Sequence, residues 1–426
     1  MDGSLPLEIV WEIFSRYQEG ENAFYPLETL LLVCKRWSSA ALSNRALWAR
    51  YKIRMGHEPI MKMWRARLPL RIARSGEVTL VDIDINTDIG GENNVSCYAR
   101  GCVGDTGYKR SFWLCRCDRE HESFIIWALG LLAGLDGAGC RRWRKVRFHT
   151  DKYFMDYGPL SASRSLFRAL AFPTPSLVSL SLHRISSNHL PGRDCPFLPF
   201  APMLQEVVLS ECCLSRPLPA MNGLRRIELS EVRHWDTNLV RLGELEEVEQ
   251  LVLNNLEVEL PMNLPRLRHL TLTGWRVKLN IERVSMPRLT YLSLDPGDFE
   301  LWAYVTERHP LLFEQLKHLE IRGELQSSPR LGSKQHEDSV SRLICSFESL
   351  LSVSASVSFF GALLKWMSQG RSTSGELEDE RVKVKWKQGV ALILPSGELM
   401  GELSSDGALT RTGVYWPSMT KPNRIE

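Results

Sequence analysis

Four cysteines and a histidine are the first residues in this chain whose types could make a reactive site. Cys97-x4-Cys102-x12-Cys115-x-Cys117 is followed closely by His121, and thiolates with an imidazole are the ligands of a tetrahedral zinc centre. Such centres are usually built from tight two-residue knuckles, and neither pair has that spacing. The plainer reading is four reduced thiols in an irregular insertion, with no metal; a zinc centre is the alternative. His121-Glu122 lacks the second histidine of a zinc-hydrolase helix. The chain has no Gly-x-Ser-x-Gly elbow, no phosphate-cradling Gly-x4-Gly-Lys-Ser/Thr loop and no Gly-x-Gly-x-x-Gly after a strand. None of its ten cysteines sits in a context that marks an activated nucleophile. A non-enzyme without cofactors is therefore expected.

A second candidate is the basic and aromatic run Arg141 to His149, RRWRKVRFH, which at first suggests phosphate binding. Its periodicity gives another reading. Trp143, Val146 and Phe148 fall at apolar positions, which leaves Lys145, Arg147 and His149 on the opposite face of a strand. An acidic or phosphorylated protein segment suits that face better than nucleic acid does.

Composition sets the class of protein that must carry these residues. With 426 residues, 44% hydrophobic and 24% charged, the chain has the make-up of a globular protein of more than one domain. A formal charge of +3 gives no global attraction to nucleic acid or to an anionic membrane, and neither partner is expected. No run approaches the ~20 apolar residues of a membrane span. The cysteines are scattered rather than dense, so reduced thiols and a cytoplasmic or nuclear location are expected.

Trp143-x-x-Val146-x-Phe148 opens a series. It continues with Leu177-x-x-Leu180-x-Leu182, Leu204-x-x-Val207-x-Leu209, Leu224-x-x-Ile227-x-Leu229 and Val248-x-x-Leu251-x-Leu253. Leu267-x-x-Leu270-x-Leu272, Leu289-x-x-Leu292-x-Leu294 and Leu316-x-x-Leu319-x-Ile321 complete it, with a weak ninth around Phe347 to Val353. The intervals between central residues run from 19 to 34. One short strand per unit, stacked on its neighbours, would build a parallel sheet that no unit could hold alone. The region resembles a leucine-rich-repeat solenoid. Position three after the last strand residue is Cys212 in one unit but Ile185, Val232, Leu256 and Trp275 in others, which predicts an irregular solenoid. Residues between the apolar positions, among them Lys145, Arg147, His149, Arg226, His269, Tyr291, His318 and Arg322, would line its concave face and bind a protein substrate.

The N-terminal stretch is different in kind. Ser4 and Pro6 start a helix carrying Leu5, Ile9, Ile13 and Phe14; Pro26 opens a second with Leu27, Leu30, Leu31, Val33, Cys34 and Trp37; Leu42, Leu47 and Trp48 mark a third turn. Val10, Trp11, Leu31 and Leu32 fall off the main stripes, so part of this apolar surface wants a partner. Leu5-Pro6-x-Glu8-Ile9-x-x-x-Ile13-Phe14, then Leu30-x-x-Val33-Cys34-Lys35-Arg36-Trp37, then Leu47-Trp48, resembles an F-box. The segment from Gln18 to Tyr25 is longer than in compact examples and is expected as a loop.

That resemblance implies docking on the Skp-type adaptor of a cullin–RING ubiquitin ligase through Leu5, Pro6, Ile9, Ile13, Phe14, Leu30, Val33, Cys34 and Trp37, while the repeats select the substrate. A scaffold that uses the same two modules to assemble a complex outside a ligase is the alternative. The fold class is α/β: a short helical F-box over 1–50, a linking helix, strand and irregular insertion over 51–142, repeats over 143–368 and a β cap over 381–426. One helix is expected from Tyr51 to Arg74, a strand near Val78 to Ile85, and a helix from Phe124 to Leu135. Further on, Gln326 to Ser341 reads as a loop and Phe347 to Met367 as a weak repeat and helix. Gln369 to Glu380 reads as a link, and Val382 to Trp386 and Val390 to Leu394 as strands.

Overall fold

The computed structural model describes residues 5–19, 27–54, 58–87, 116–150, 161–185, 197–212, 223–232, 245–255, 258–260, 263–274, 277–279, 285–295, 314–322, 347, 349–355, 360, 390–393, 399–403 and 409–411. They fall into two compact units, one of residues 1–224 and 228–240, the other of 225–227 and 241–426.

The first unit opens with helix α1 (Leu7–Glu19). A 3-10 turn, Leu27–Thr29, runs into the single helical turn α2 (Leu30–Val33), and Cys34 then breaks the helix in extended backbone. The Cys34 sulfur accepts the Trp37 N–H at 3.4 Å and so caps α3 (Lys35–Ser43). The expected second helix is therefore two pieces, because a residue in the extended region cannot continue the ladder. Val10, Phe14, Leu27, Leu30, Ala40, Ala41, Leu47 and Trp48 form one buried cluster, and full burial of a side chain of Phe or Leu size contributes about 1.5–3 kcal/mol. Val10, expected off the stripe, is core, and Ile9 is outside. Gln18 is not in a loop: it lies in α1, buried, and its amide donates to the Leu47 carbonyl.

The predicted single helix over 51–74 is a strand and a helix. Arg50–Arg54 alternates cations with the buried Tyr51 and Ile53 and forms β1, and α4 follows over Glu58–Ser75. β1 pairs in parallel with β2 (Val81–Asn86), β2 with β3 (Trp143–His149), β3 with β4 (Ser179–His183) and β4 with β5 (Glu206–Ser210). Parallel order needs crossovers, and α5 (Arg116–Ala133) and α6 (Ser161–Leu170) lie in two of them. The strand β6 (Arg226–Ser230) falls where the two units divide.

α5 ends at Gly134, in the left-handed region, whose N–H bonds the Gly130 carbonyl at 3.0 Å. The chain then turns tightly back on that helix end. A Cβ on Gly139 would sit 2.2 Å from the Leu132 carbonyl oxygen, the same oxygen that accepts the Trp143 indole N–H at 3.2 Å. Gly139→Ala must push backbone apart at a joint that seats β3. A loss of about 1–3 kcal/mol is expected, read as a lower thermal midpoint in circular dichroism; an unchanged midpoint would refute the packing.

In the second unit β7 (Gln250–Asn254), β9 (His269–Thr273), β11 (Tyr291–Leu294), β12 (His318–Ile321), β13 (Ser352–Ser354) and β14 (Val390–Ile393) are parallel neighbours in chain order. β15 (Leu399–Leu403) and β16 (Leu409–Arg411) close this run antiparallel. The short strands β8 (Val258–Leu260) and β10 (Val277–Leu279) pair separately.

Each of the eight apolar triplets is a strand with its entrance. Four entrances share one device: Pro175, Pro202, Pro265 and Pro287 stand at the second position of turns closed by Leu177 N–H to Thr174 O at 3.1 Å, Leu204 to Ala201 at 3.1 Å, Leu267 to Leu264 at 3.2 Å and Leu289 to Met286 at 3.1 Å. Proline sets the backbone angle that this position needs. The exits share another. Arg184, Glu211, Glu231, Asn255 and Gly274, each one residue past a strand, are left-handed with φ of 56°, 50°, 50°, 52° and 96°. The turned N–H reaches the next strand's end: Arg184 to Ser210 O at 2.8 Å, Glu211 to Ser230 O at 2.7 Å, Asn255 to Thr273 O at 2.7 Å.

Cys212, Ile185 and Val232 are buried after these corners; Leu256 and Trp275 lie outside the described residues, as do the regions 326–341, 369–380 and 382–386. Cys97, Cys102 and Cys115 are outside them too, and Cys117 falls in the first turn of α5. Among the described residues no group of His, Cys, Asp or Glu side chains could hold a metal ion. No single helix among them is long and apolar enough to cross a membrane.

Candidate protein-docking surfaces

The first surface is built on α1 and the break at Cys34. With Val10, Phe14 and Gln18 turned inward, helical geometry turns Leu5, Ile9 and Trp11 outward, at 47%, 47% and 37% exposure. Leu32 and Val33 are 84% and 57% exposed. The Arg36 guanidinium donates to the Leu5 carbonyl, which fixes the start of α3 beside the start of α1. Phe14 and Trp37 meet edge to face with centroids 5.2 Å apart. These ties hold the Leu5 end of α1 beside the start of α3.

The nine expected docking residues thus divide. Leu5, Pro6, Ile9, Val33 and Cys34 are exposed and can touch a partner. Phe14 and Leu30 are core, and Ile13 and Trp37 are half-buried against that core; their part is to hold the others. Leu7, 39% exposed, joins the outer face and was not among the expected residues. Its place next to the Pro6 entry was the available signal.

Behind this face stands an ion pair that sequence spacing does not reveal. Arg71 of α4 is fully buried and donates two parallel hydrogen bonds to Glu28, at 2.8 and 2.9 Å. Arg67 approaches the same carboxylate at 3.7 Å, and the Arg71 guanidinium lies 5.0 Å from the centre of the Trp64 ring. Burial alone would raise the Glu28 carboxyl, but the Arg71 hydrogen bonds and charge, with Arg67, outweigh it and hold it below the usual range. Arg74 covers the Trp48 ring at 4.5 Å, and Lys52 of β1 donates to the Glu19 carbonyl at 3.0 Å. The N-terminal helices are therefore fastened to the helix and strand that lead into the sheet.

The second surface is the open face of the sheet. In the first unit Lys145 and Arg147 are exposed and His149 is half-buried, its ring stacked on His183 at 4.0 Å. Arg226 is half-buried on β6. In the second unit register places His269, Tyr291 and His318 side by side, with His269 and Tyr291 edge to face at 5.6 Å. Tyr291 donates to Glu320, and Arg322 reaches the same carboxylate at 3.1 Å. Burial and that carboxylate push the Tyr291 phenol up to about 12, so it stays a hydroxyl donor. Burial, then the charges of Lys317 and His269, lower the His318 imidazole. Thr271 and Ser293, expected on the open face, are buried.

An exposed apolar face on a small helical cluster binds another protein through burial of that face. No curated protein matches the chain. Its N-terminal region matches the family model described as F-box-like over residues 2–54, the same residues that supply the exposed apolar face, its supporting core and the first sheet strand. Residues 2–54 are an F-box-like domain, a kind of domain that binds Skp-type adaptors.

Proposed function

We propose that this protein is the substrate-recognition subunit of an SCF-type ubiquitin ligase. Its F-box-like domain docks on the Skp-type adaptor, and through it on the cullin and the RING protein. The strands from Trp143 onward act as leucine-rich repeats whose open face takes a protein substrate. The observation that carries this reading is the exposed set Leu5, Ile9, Leu32 and Val33 on the matched domain. The subunit itself is non-catalytic and raises the rate of ubiquitin transfer by holding a substrate lysine near the loaded enzyme. The reading places it in the cytoplasm or nucleus, in keeping with the reduced thiols of Cys34 and Cys140.

The test is co-expression of the full chain with the Skp-type adaptor followed by size-exclusion chromatography. A one-to-one complex is the expected result, and addition of the cullin and RING subunits should assemble on it. Two separate peaks at micromolar concentration would overturn the reading.

A further inference from the structure

The open face of the first unit carries charge in rows, and register fixes their order. β1 presents Arg50, Lys52 and Arg54, β2 presents Asp82 and Asp84, and β3 presents Lys145 and Arg147. β4 offers the hydroxyls of Ser179 and Ser181, and β5 offers Glu206. In register Lys145 stands beside Asp82 and Arg147 beside Asp84, so two cross-strand ion pairs would be the simplest arrangement. They do not form. Arg144 takes Asp82 with two hydrogen bonds at 2.8 and 2.6 Å, and Arg50 approaches it at 3.9 Å. Arg54 takes Asp84 at 3.3 Å. On the other side Ser179 donates to Glu206 at 2.8 Å. Among the described residues Lys145 and Arg147 make no ion pair, and both are exposed.

The result is a positive stripe one strand wide. Crossing the sheet, a ligand would meet carboxylates on β2 and again at Glu206 on β5; running along β3, it meets only cations and then His149. Alternate side chains on a strand are roughly 6.6 Å apart. An extended peptide presents its own alternate side chains at the same repeat, so carboxylates two residues apart fall over Lys145 and Arg147 together. Carboxylates on adjacent residues point to opposite sides and cannot do so.

Resting on the substrate-receptor reading, we propose that Lys145 and Arg147 on β3 dock an extended acidic segment of the protein partner, with Asp or Glu at alternate positions, laid along the strand. The test uses the full chain and two synthetic twelve-residue peptides of equal composition, one with glutamate alternating with threonine, the other with pairs of glutamates alternating with pairs of threonines, so that no two glutamates stand two residues apart. Fluorescence anisotropy at low salt should show the alternating peptide binding about tenfold more tightly than the paired one. Lys145→Glu with Arg147→Glu should remove at least that tenfold, and Lys145→Gln with Arg147→Gln should remove a smaller part of it. Lys317→Glu, in the second unit, should leave the affinity unchanged.

Equal affinity for the two peptides would overturn the proposal. So would a loss shared by Lys317→Glu, or equally tight binding of a single-stranded RNA of matched charge that the same two substitutions abolish. Adaptor binding is read separately by co-purification, which these substitutions should not touch. A failed peptide test with an intact adaptor complex sinks only this proposal, and a lost adaptor complex with intact peptide preference sinks only the ligase reading.

Discussion

A chain carrying Ile9→Asp with Val33→Asp should fold normally and lose the adaptor. Both side chains are about half exposed in the free protein, at 47% and 57%, so a polar replacement there costs little stability; surface changes away from special features usually stay within about 0.5 kcal/mol. In a complex the same positions are desolvated, and an unpaired carboxylate in an apolar interface is strongly unfavourable. Two of them should weaken binding by more than about 3 kcal/mol, or over 100-fold. The contrast is Phe14→Ala, which lies in the core with 0% exposure and should cost about 3–5 kcal/mol of stability. Calorimetric titration with the adaptor and thermal melts of the two variants separate the cases. An Ile9→Asp, Val33→Asp chain that keeps adaptor affinity would show that this face is not the docking surface.

The second large effect is expected far from any exposed surface. Arg71→Ala removes both hydrogen bonds from Glu28 and leaves that carboxylate partly buried, with Arg67 at 3.7 Å as its remaining cation among the described residues. A loss on the order of 3 kcal/mol follows. Its pH dependence has a definite sign. The folded-state pKa of Glu28 is depressed, so the pair's contribution is full above the unfolded carboxyl value of about 4.3. It is lost as pH falls through the lower folded value. Melts of the two proteins should differ strongly at neutral pH and converge in acid; a gap that persists once Glu28 is protonated in the folded protein would mean that packing of Arg71 on Trp64, not the ion pair, is what matters.

How much of this was legible from sequence follows from the kind of signal each feature leaves. The strands were, because Leu-x-x-Leu-x-Leu sets two core positions on one face of a short extended segment, and all eight such triplets are strands. Of the two earlier strands, Val81 to Asn86 was legible from its alternation, and only the first was harder. Arg50 to Arg54 carries three cations and sits against a helical pattern, so its Tyr51 and Ile53 alternation was absorbed into a helix. The docking residues were legible as a set but not as individuals: spacing along α1 fits either Leu5, Ile9 and Ile13 or Val10 and Phe14 facing inward, and only the core of Leu27, Ala40, Ala41 and Trp48 decides. Glu28 and Arg71 stand 43 positions apart, and no local pattern links residues at that distance. The left-handed corners were invisible for a related reason. Four of the five are Arg, Glu, Glu and Asn rather than glycine, so the strain that non-glycine residues bear there, roughly 1–2 kcal/mol each, has no compositional mark.

Those corners, together with the proline turns, separate what the protein must conserve from what it is free to change. A strand whose entry is fixed by a closed turn and whose exit is pinned to its neighbour's last carbonyl needs nothing from the residues between one exit and the next entry to keep its alignment. The interval of 27 residues between Leu180 and Val207 in the first unit, and that of 19 between Leu251 and Leu270 in the second, are accommodated by the same two joints. Return segments can therefore lengthen, shorten and diversify in an evolving lineage at little thermodynamic risk while the strands keep their alignment.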